Sequence, residues 1–426
     1  MIRSLGEGSA PAATICSLAL AAGLLVSAAG GYWSAPMNLS ESEVFTEDAS
    51  LAADSQGRVH VVWSEGGEIV HRHQLTEGWS APMTVATGFA PALAADTGGE
   101  IHLVFVNRFA DVDDVYYTSW RDGPGWQLPV NVSDGVERSS SPSLAVAAAG
   151  SRAVVWGSRS GDVDLIYVAE SDDGMLWSSG PVPHAFGVRP KVAIGDGSLL
   201  VAWHGPYDVP GSAMEIYFSV RSNHQWTLPL DVSASPEVDS VFASLAYEAD
   251  KGYLAWQENL PGGSAVLMSV GEAGGWSIPQ KRSGEGPAYA PVVMVGLGGG
   301  HVAWTTEASV QYAGWSVSSG TWQTIEDVAA AQAGVRDVSM ALGASACLAW
   351  LAEAAISNDD VYYSVRMAET TPSPSATATL TASQTAPPAV TATPTMTSTV
   401  APSQTPTSTA TLPSRWLLSL PIIRAS

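Results

Sequence analysis

The sequence predicts an all-β fold, a seven-bladed β-propeller of four-stranded antiparallel blades, and three observations predict it. A Trp recurs at Trp33, Trp79, Trp126, Trp177, Trp226, Trp276 and Trp322, at spacings of 46, 47, 51, 49, 50 and 46 residues. A second aromatic keeps the same beat at Trp63, Phe105, Trp156, Trp203, Trp256, Trp304 and Trp350. Between the markers lie four short β-type runs per unit, punctuated by Gly, Asp and Pro and without helical periodicity. A four-stranded repeat of this length closes into a propeller, whereas solenoid repeats of similar length are helical and β-helix coils are much shorter.

The unit from Trp79 to Trp120 shows the elements in order. Trp79 to Val85 comes first, Pro91 to Ala95 is Ala-rich, Ile101 to Val106 is apolar and carries Phe105, and Asp114 to Trp120 alternates Tyr with small or polar residues. The Ala-rich run recurs as ASLAA, PALAA, PSLAV, PKVAI, ASLAY, PVVMV and VSMAL. It belongs innermost, where blades converge and only small side chains fit the taper. Thirteen of the 16 Trp residues stand at the two marker positions, which assigns them to the core between blades. The repeats end after a third strand, at Arg366, and begin with a lone fourth strand at Trp33. An open ring would leave two unpaired edges. The run from Trp33 to Leu39 is therefore expected to complete the last blade beside Val361 to Arg366.

Outside the repeats the composition divides the chain. Residues 1–29 carry Arg3, an apolar run from Ala12 to Val26 and the small residues Ser27, Ala28 and Ala29, the layout of a secretory signal peptide. Residues 30–366 are the propeller, 367–413 a disordered Thr/Ser/Pro-rich linker, and 414–426 a short apolar tail. That tail falls short of the about 20 residues a bilayer span needs, so no transmembrane span is expected in the mature chain. The formal net charge of -23 disfavours nucleic acid and anionic membranes as partners, since both need a basic patch. Removing the leader with Cys16 leaves Cys347 alone, buried in SACLAW. The expected product is a secreted, cell-surface monomer with a glycan or protein ligand.

One turn carries a family motif. Glu170-Ser171-Asp172-Asp173-Gly174-Met175-Leu176-Trp177 resembles the Asp-box (BNR repeat) of the sialidase-like propellers, Ser-x-Asp-x-Gly-x-Thr-Trp, with Asp172, Gly174 and Trp177 in place. Such boxes are structural, the carboxylate taking backbone N–H groups as Asx turns do. The resemblance implies, for a working sialidase, three arginines clamping a carboxylate, a Tyr–Glu nucleophile pair and an Asp acid/base. The candidates are Arg138, Arg189 and Arg336 before inner strands, Glu47 and Asp48 before the first, and Glu285 with Tyr289 before the sixth. Several departures oppose that activity. The arginines stand four, one and two positions before their strands, and the family's catalytic domain has six blades. The favoured function is thus non-catalytic glycan or protein recognition at the channel mouth, with an exo-α-sialidase-like hydrolase and an architectural envelope protein as alternatives.

No metal or cofactor is assigned. His60, His102 and His301 stand three residues before the marker aromatic and read as structural, while His71 and His73 share a strand face without an evident third ligand. Acidic turns at Asp111, Asp113 and Asp114, at Asp162 and Asp164, and at Asp359 and Asp360 read as solvated hairpin tips, with Ca2+ as the other reading. Asn38-Leu39-Ser40 and Asn131-Val132-Ser133 match glycosylation sequons but occupy one repeat position, where turn residues are expected.

Overall fold

The computed structural model describes residues 31–367 apart from 110, 136, 137, 196, 207–210, 273, 274, 317–320, 330, 331, 356 and 357. The leader over 1–29, the linker beyond residue 367 and the tail over 414–426 lie outside the described residues. Seven antiparallel sheets form a propeller; six run in chain order from an inner to an outer strand, and the seventh takes its outer strand from the start of the described residues. Blade 1 is Thr46–Ala53, Val59–Glu65, Glu68–His73 and Met83–Thr87. The inner strands of the others are Phe89–Ala95, Arg138–Val146, Val188–Gly195, Ser240–Glu248, Tyr289–Gly296 and Arg336–Leu342. Each packs beside the next, and the seventh packs beside the first, so the ring is closed.

Closure follows the expected route. Tyr32–Trp33 and Met37–Asn38 pair antiparallel with the last strand, Trp33 opposite Arg366 and Met37 opposite Tyr363. The Leu39 N–H donates to Val361 O at 2.7 Å. Most outer strands are interrupted in the same way, by proline three residues after the marker Trp, as at Pro36, Pro129, Pro229 and Pro279. Proline lacks the N–H a ladder needs and blunts an exposed edge against pairing with other chains. Blade 3 has Gly180 there, and its outer strand runs unbroken over Ser178–Phe186.

Both aromatic markers lie between blades. Trp63, Trp156, Trp203, Trp256, Trp304 and Trp350 are fully buried, and Phe105 takes the place in blade 2. Each outer Trp covers a third-strand residue of the preceding blade. Trp79 meets Tyr363 edge-on at 5.0 Å, Trp33 meets Tyr312 at 5.1 Å, Trp177 meets Tyr117 at 5.1 Å and Trp276 meets Phe218 at 4.8 Å. Trp226 and Trp322 pack likewise into clusters holding Val168 and Met268. Cys347 is buried as the sequence implies, accepting from the Tyr363 hydroxyl at 3.3 Å.

The acidic turns are not all solvated tips. Asp360 is buried and accepts from Asn38 Nδ2 at 2.6 Å, Ser40 Oγ at 2.8 Å and the Ser42 N–H at 3.0 Å. Asp114 does the same for Asn131, Ser133 and Gly135, and Glu215 for Ser233 and Ser235. A carboxylate on the third strand thus clasps the Asn-x-Ser or Asp-x-Ser turn leaving the fourth, which is why the turn serine recurs.

Leu39 is the keystone of this closure, fully buried between the first and last blades. Leu39→Ala is expected to cost about 2–5 kcal/mol of unfolding free energy in urea, the range for a buried leucine cavity. Leu128→Ala, at a side chain 90% exposed, should stay within about 0.5 kcal/mol of the parent.

Candidate functional site

Every inner strand carries a β-bulge at the same place, near its start. The register slips between Glu47 and Ser50, Phe89 and Ala92, Ser140 and Ser143, Val188 and Lys191, Val241 and Ser244, Tyr289 and Val292, and Arg336 and Ser339. In each bulge the first inserted residue has φ between 43° and 55°: Asp48, Ala90, Ser141, Arg189, Phe242, Ala290 and Asp337. Proline follows in four of them, at Pro91, Pro142, Pro190 and Pro291, where no ladder hydrogen bond is asked of it. A left-handed residue costs about 1–3 kcal/mol when it is not glycine, and such strain persists only where the surroundings enforce it. Here it sets seven side chains on one level around the channel mouth.

Below that level the inner strands are stitched to one another. Ser50, Ser143, Ser244 and Ser339 accept through Oγ from the N–H of Leu93, Val192, Val293 and Leu51 at 3.0, 3.4, 3.0 and 3.2 Å. Each bond crosses to the next blade and occupies a backbone donor that the ladder leaves facing the channel. In blade 4 the equivalent residue is Lys191, which has no counterpart in the ring. Lys191 keeps accessible surface, yet protein atoms crowd around its ammonium. That desolvation, and repulsion from Arg189, pull its ammonium pKa down.

The charged groups at the mouth act on each other. Burial raises the Asp48 pKa against the opposing pull of the Ala90 N–H at 3.2 Å and of Arg189 and Arg336. Burial also raises Asp337, and the Asp48 charge adds to it. Glu47 is raised by partial burial and by Asp48. Arg189 is exposed, its guanidinium 5.0 Å above the Phe242 ring. Arg336 is held by Asp359, lies 3.5 Å from Asp337 and covers Phe45 at 5.6 Å. The mouth therefore offers cationic donors at Arg189 and Lys191, carboxylate acceptors at Asp48 and Asp337, and one aromatic face at Phe242.

Of the residues singled out from sequence, the structure brings Glu47, Asp48, Arg189 and Arg336 together. Arg138 stands apart, three residues upstream of its bulge residue and opposite Arg159, roughly 10 Å of strand away. Tyr289 takes in blade 6 the place that Glu47 and Arg336 hold in blades 1 and 7, and Glu285 is exposed on the loop before it. Sequence reasoning passed over Asp337, Phe242 and Lys191. Aligning the seven Ala-rich runs would have found all three, since they share columns with Asp48 and Ser50. In the Asp-box the turn is one residue out of the expected step. The carboxylate of Asp173, not Asp172, accepts the Met175 and Leu176 N–H groups at 2.8 and 2.9 Å, while Ser171 Oγ accepts from Gly174 at 2.8 Å. Asp172 offers its carbonyl to Arg152 at 2.9 Å. Gly174 is required there: its φ is +76°, and a Cβ would stand 2.8 Å from the Tyr117 ring.

No protein-family model and no curated protein matches this sequence. Solved structures match in fold. The chain is similar to an ulvan lyase of a polysaccharide lyase family bound to -[GlcA(1-4)Rha3S]-, at 11% identity and a TM-score of 0.53 over 76% of this chain and 96% of that one. It is similar also to an α-L-arabinanase of Penicillium chrysogenum, at 13% identity and a TM-score of 0.45 over 65% of this chain and 92% of that one. A sialidase of Trypanosoma rangeli matches at 9% identity and a TM-score of 0.45, over 79% of this chain and 58% of that one. At such identities the likeness is one of fold. Among the described residues no helix is long and apolar enough to cross a membrane.

The raised carboxyls fix a sign. An acid whose pKa is higher folded than unfolded binds its proton more tightly in the native state, so its contribution to stability falls as pH rises through that interval. Above the ordinary Asp value of 3.8, Asp48 and Asp337 should therefore weaken the fold progressively. Urea unfolding of Asp48→Asn beside the parent between about pH 4 and 7 should show the variant gaining relative stability toward pH 7. A difference that does not change with pH would contradict this electrostatic reading.

Proposed function

We propose that this protein is a glycan-binding propeller of the cell exterior whose channel mouth engages a saccharide bearing an anionic group. The observation that carries this reading is the bulge ring, which holds Arg189, Phe242, Asp48 and Asp337 at one level around the propeller axis. Each group suits a part of such a ligand. The Arg189 fork donates in pairs to a carboxylate or sulfate, with Lys191 deeper on the same axis. Asp48 and Asp337 accept from ring hydroxyls, and Phe242 presents an apolar face to the sugar's C–H groups. The polysaccharide- and glycan-named proteins that share this fold support the ligand class. The leader-like composition of residues 1–29 and the Thr/Ser/Pro-rich region beyond the blades support an extracellular setting.

Binding without turnover is favoured by the placement of Arg138, which stands three residues from its bulge and apart from the cluster around Asp48. A second reading, hydrolysis, has one observation behind it: Asp48, Glu47 and Asp337 carry raised pKa values side by side, a property of acid/base carboxyls.

Titration of the full chain with uronate-containing and neutral oligosaccharides by isothermal calorimetry tests the proposal. Arg189→Ala is expected to weaken the anionic ligand about tenfold or more, the share of one charge-assisted hydrogen bond. Leu128→Ala should leave it unchanged. Equal binding by the parent and Arg189→Ala would remove the mouth from consideration, and release of fluorophore from a sialoside, lost in Asp48→Asn, would favour the hydrolytic reading.

A further inference from the structure

A second cluster lies at the opposite end of blade 1, where its inner strand finishes. Two of its members, His71 and His73, share a strand face, and the third comes from the neighbouring strand. His60 stands directly across from His73, and Val62 across from His71, so the three imidazoles meet on one side of the sheet. One nitrogen from each lies within 4.8 Å of the other two. His60 and His71 are fully buried and His73 half-buried, under Trp120 and Trp126 of blade 2. The sequence offers no evident third ligand for His71 and His73; the pairing places His60 beside them, which sequence spacing along one strand cannot show.

The repeat supplies its own control. In blades 2 and 6 the residue equivalent to His60 is His102 or His301, and it is bonded by a tyrosine in the His71 position: Tyr117 at 2.7 Å and Tyr312 at 2.6 Å. Opposite those histidines, in the His73 position, stand Ser119 and Gly314. Blade 1 alone replaces both the tyrosine and the small residue by histidine. His102 has acidic neighbours in Asp96 and Glu100, but Tyr117 takes its Nδ1, and Glu100 is paired with Arg121. A packing role needs one histidine and one tyrosine per blade, as blades 2 and 6 demonstrate. Two extra imidazoles in one blade exceed it.

Hydrogen bonding assigns the protons of the cluster. Indole nitrogen only donates, so the 3.2 Å contact from Trp126 Nε1 makes His71 Nδ1 an acceptor and places that ring's proton on Nε2. His71 Nε2 then donates to His60 Nδ1 at 3.1 Å. His60 is left with its proton on Nε2, 3.6 Å from Asp54 Oδ2. The series ends at His73, whose Nδ1 is buried without a partner among the described residues. Burial depresses all three, joined by the neighbouring imidazoles at His60 and His71 and by Arg58 at His73, with His60 brought to about 4, so they are neutral at pH 7.

We propose that His60, His71 and His73 form a binding site for a divalent transition metal of zinc or copper type. Three neutral imidazoles are the donor set such ions favour. Asp54, 3.6 Å behind His60 Nε2 and held there by Arg58, is the carboxylate that would orient a ligating histidine once the ring turns toward it. Tetrahedral ligation at 2.0–2.1 Å separates ligand nitrogens by about 3.3 Å, so rotation of the rings about Cβ–Cγ closes the site. Binding releases no net proton. The metal takes the lone pair of His60 Nδ1 and that of the unprotonated nitrogen of His73, and on His71 it takes Nε2, whose proton moves to Nδ1. That shift ends the contact with Trp126, because both atoms are then donors. Next to the cluster, a hollow of about 350 Å³ has Asp54, Asp96, Glu100 and Asp122 in its wall together with Arg58 and Arg121, which pair with three of those carboxylates.

The test is equilibrium dialysis of the full chain, stripped with a chelator, against Zn2+ and separately Cu2+, with bound metal counted by mass spectrometry. The parent should hold one ion per chain. His71→Tyr with His73→Ser installs the pair that blade 2 carries and should fold with an unchanged near-ultraviolet spectrum, yet lose affinity about tenfold or more. Should that variant not fold, His73→Ala, at the half-buried position, replaces it in the same assay. The Trp126 indole N–H resonance, assigned with Trp126→Phe, should shift on zinc addition in the parent and stay still in the variant. Equal metal uptake by parent and variant, or no stoichiometric uptake by the parent, overturns the site.

Discussion

Everything in this molecule depends on how one blade is wedged against the next. The second-strand aromatic of each blade is buried at the interface, and the outer Trp of each covers a third-strand residue of the blade before it. Truncating one such side chain costs about 3–5 kcal/mol, against a total stability of about 5–15 kcal/mol for a domain. Two vacancies could exhaust the margin. That sensitivity explains why the aromatic beat survives through repeats that otherwise differ widely, and why it is the clearest signal in the chain.

The wedge geometry leaves the inner strands as the place where blades can vary. Their bulge holds a side chain at the channel mouth whatever its chemistry, because the left-handed backbone is enforced by the strand pairing on either side. The seven positions accordingly run from Ala90 and Ala290 to Asp48, Arg189, Phe242 and Asp337. Their charges converge although they come from distant parts of the chain: Asp48 and Asp337 are neighbours because blade 7 closes on blade 1, and both feel Arg189 of blade 4. Closure and the candidate site are thus one fact.

The same scaffold tolerates a second specialisation at its other end. A histidine held by a tyrosine is a packing device in blades 2 and 6, buried in the first and half-buried in the second, and replacing that tyrosine by His71 keeps the contact with the covering tryptophan. Adding His73 opposite His60 brings a third imidazole to the pair and leaves its Nδ1 buried without a partner among the described residues. A repeat protein can in this way test new chemistry in one blade while six others hold the ring.

What the sequence by itself determined is the architecture: seven units, the strand order within each, the small-residue inner run, and the closing strand from Trp33 to Leu39, now found paired with the last blade. These are legible because packing repeats, and repetition turns a weak local preference into a periodic signal. The sequence also placed Asp48, Arg189 and Arg336 near the mouth, since all stand at the start of inner runs. Only the tertiary structure decided which of them meet. Arg138 is set aside by its distance from the bulge, and Asp337, Phe242 and Lys191 join because a shared register, invisible in any single repeat, puts them level with Asp48 or just beneath it. The third histidine was hidden for the same reason. Neighbours along a strand can be read from spacing, but His60 faces His73 across a hairpin, and which residues oppose each other is fixed by strand pairing.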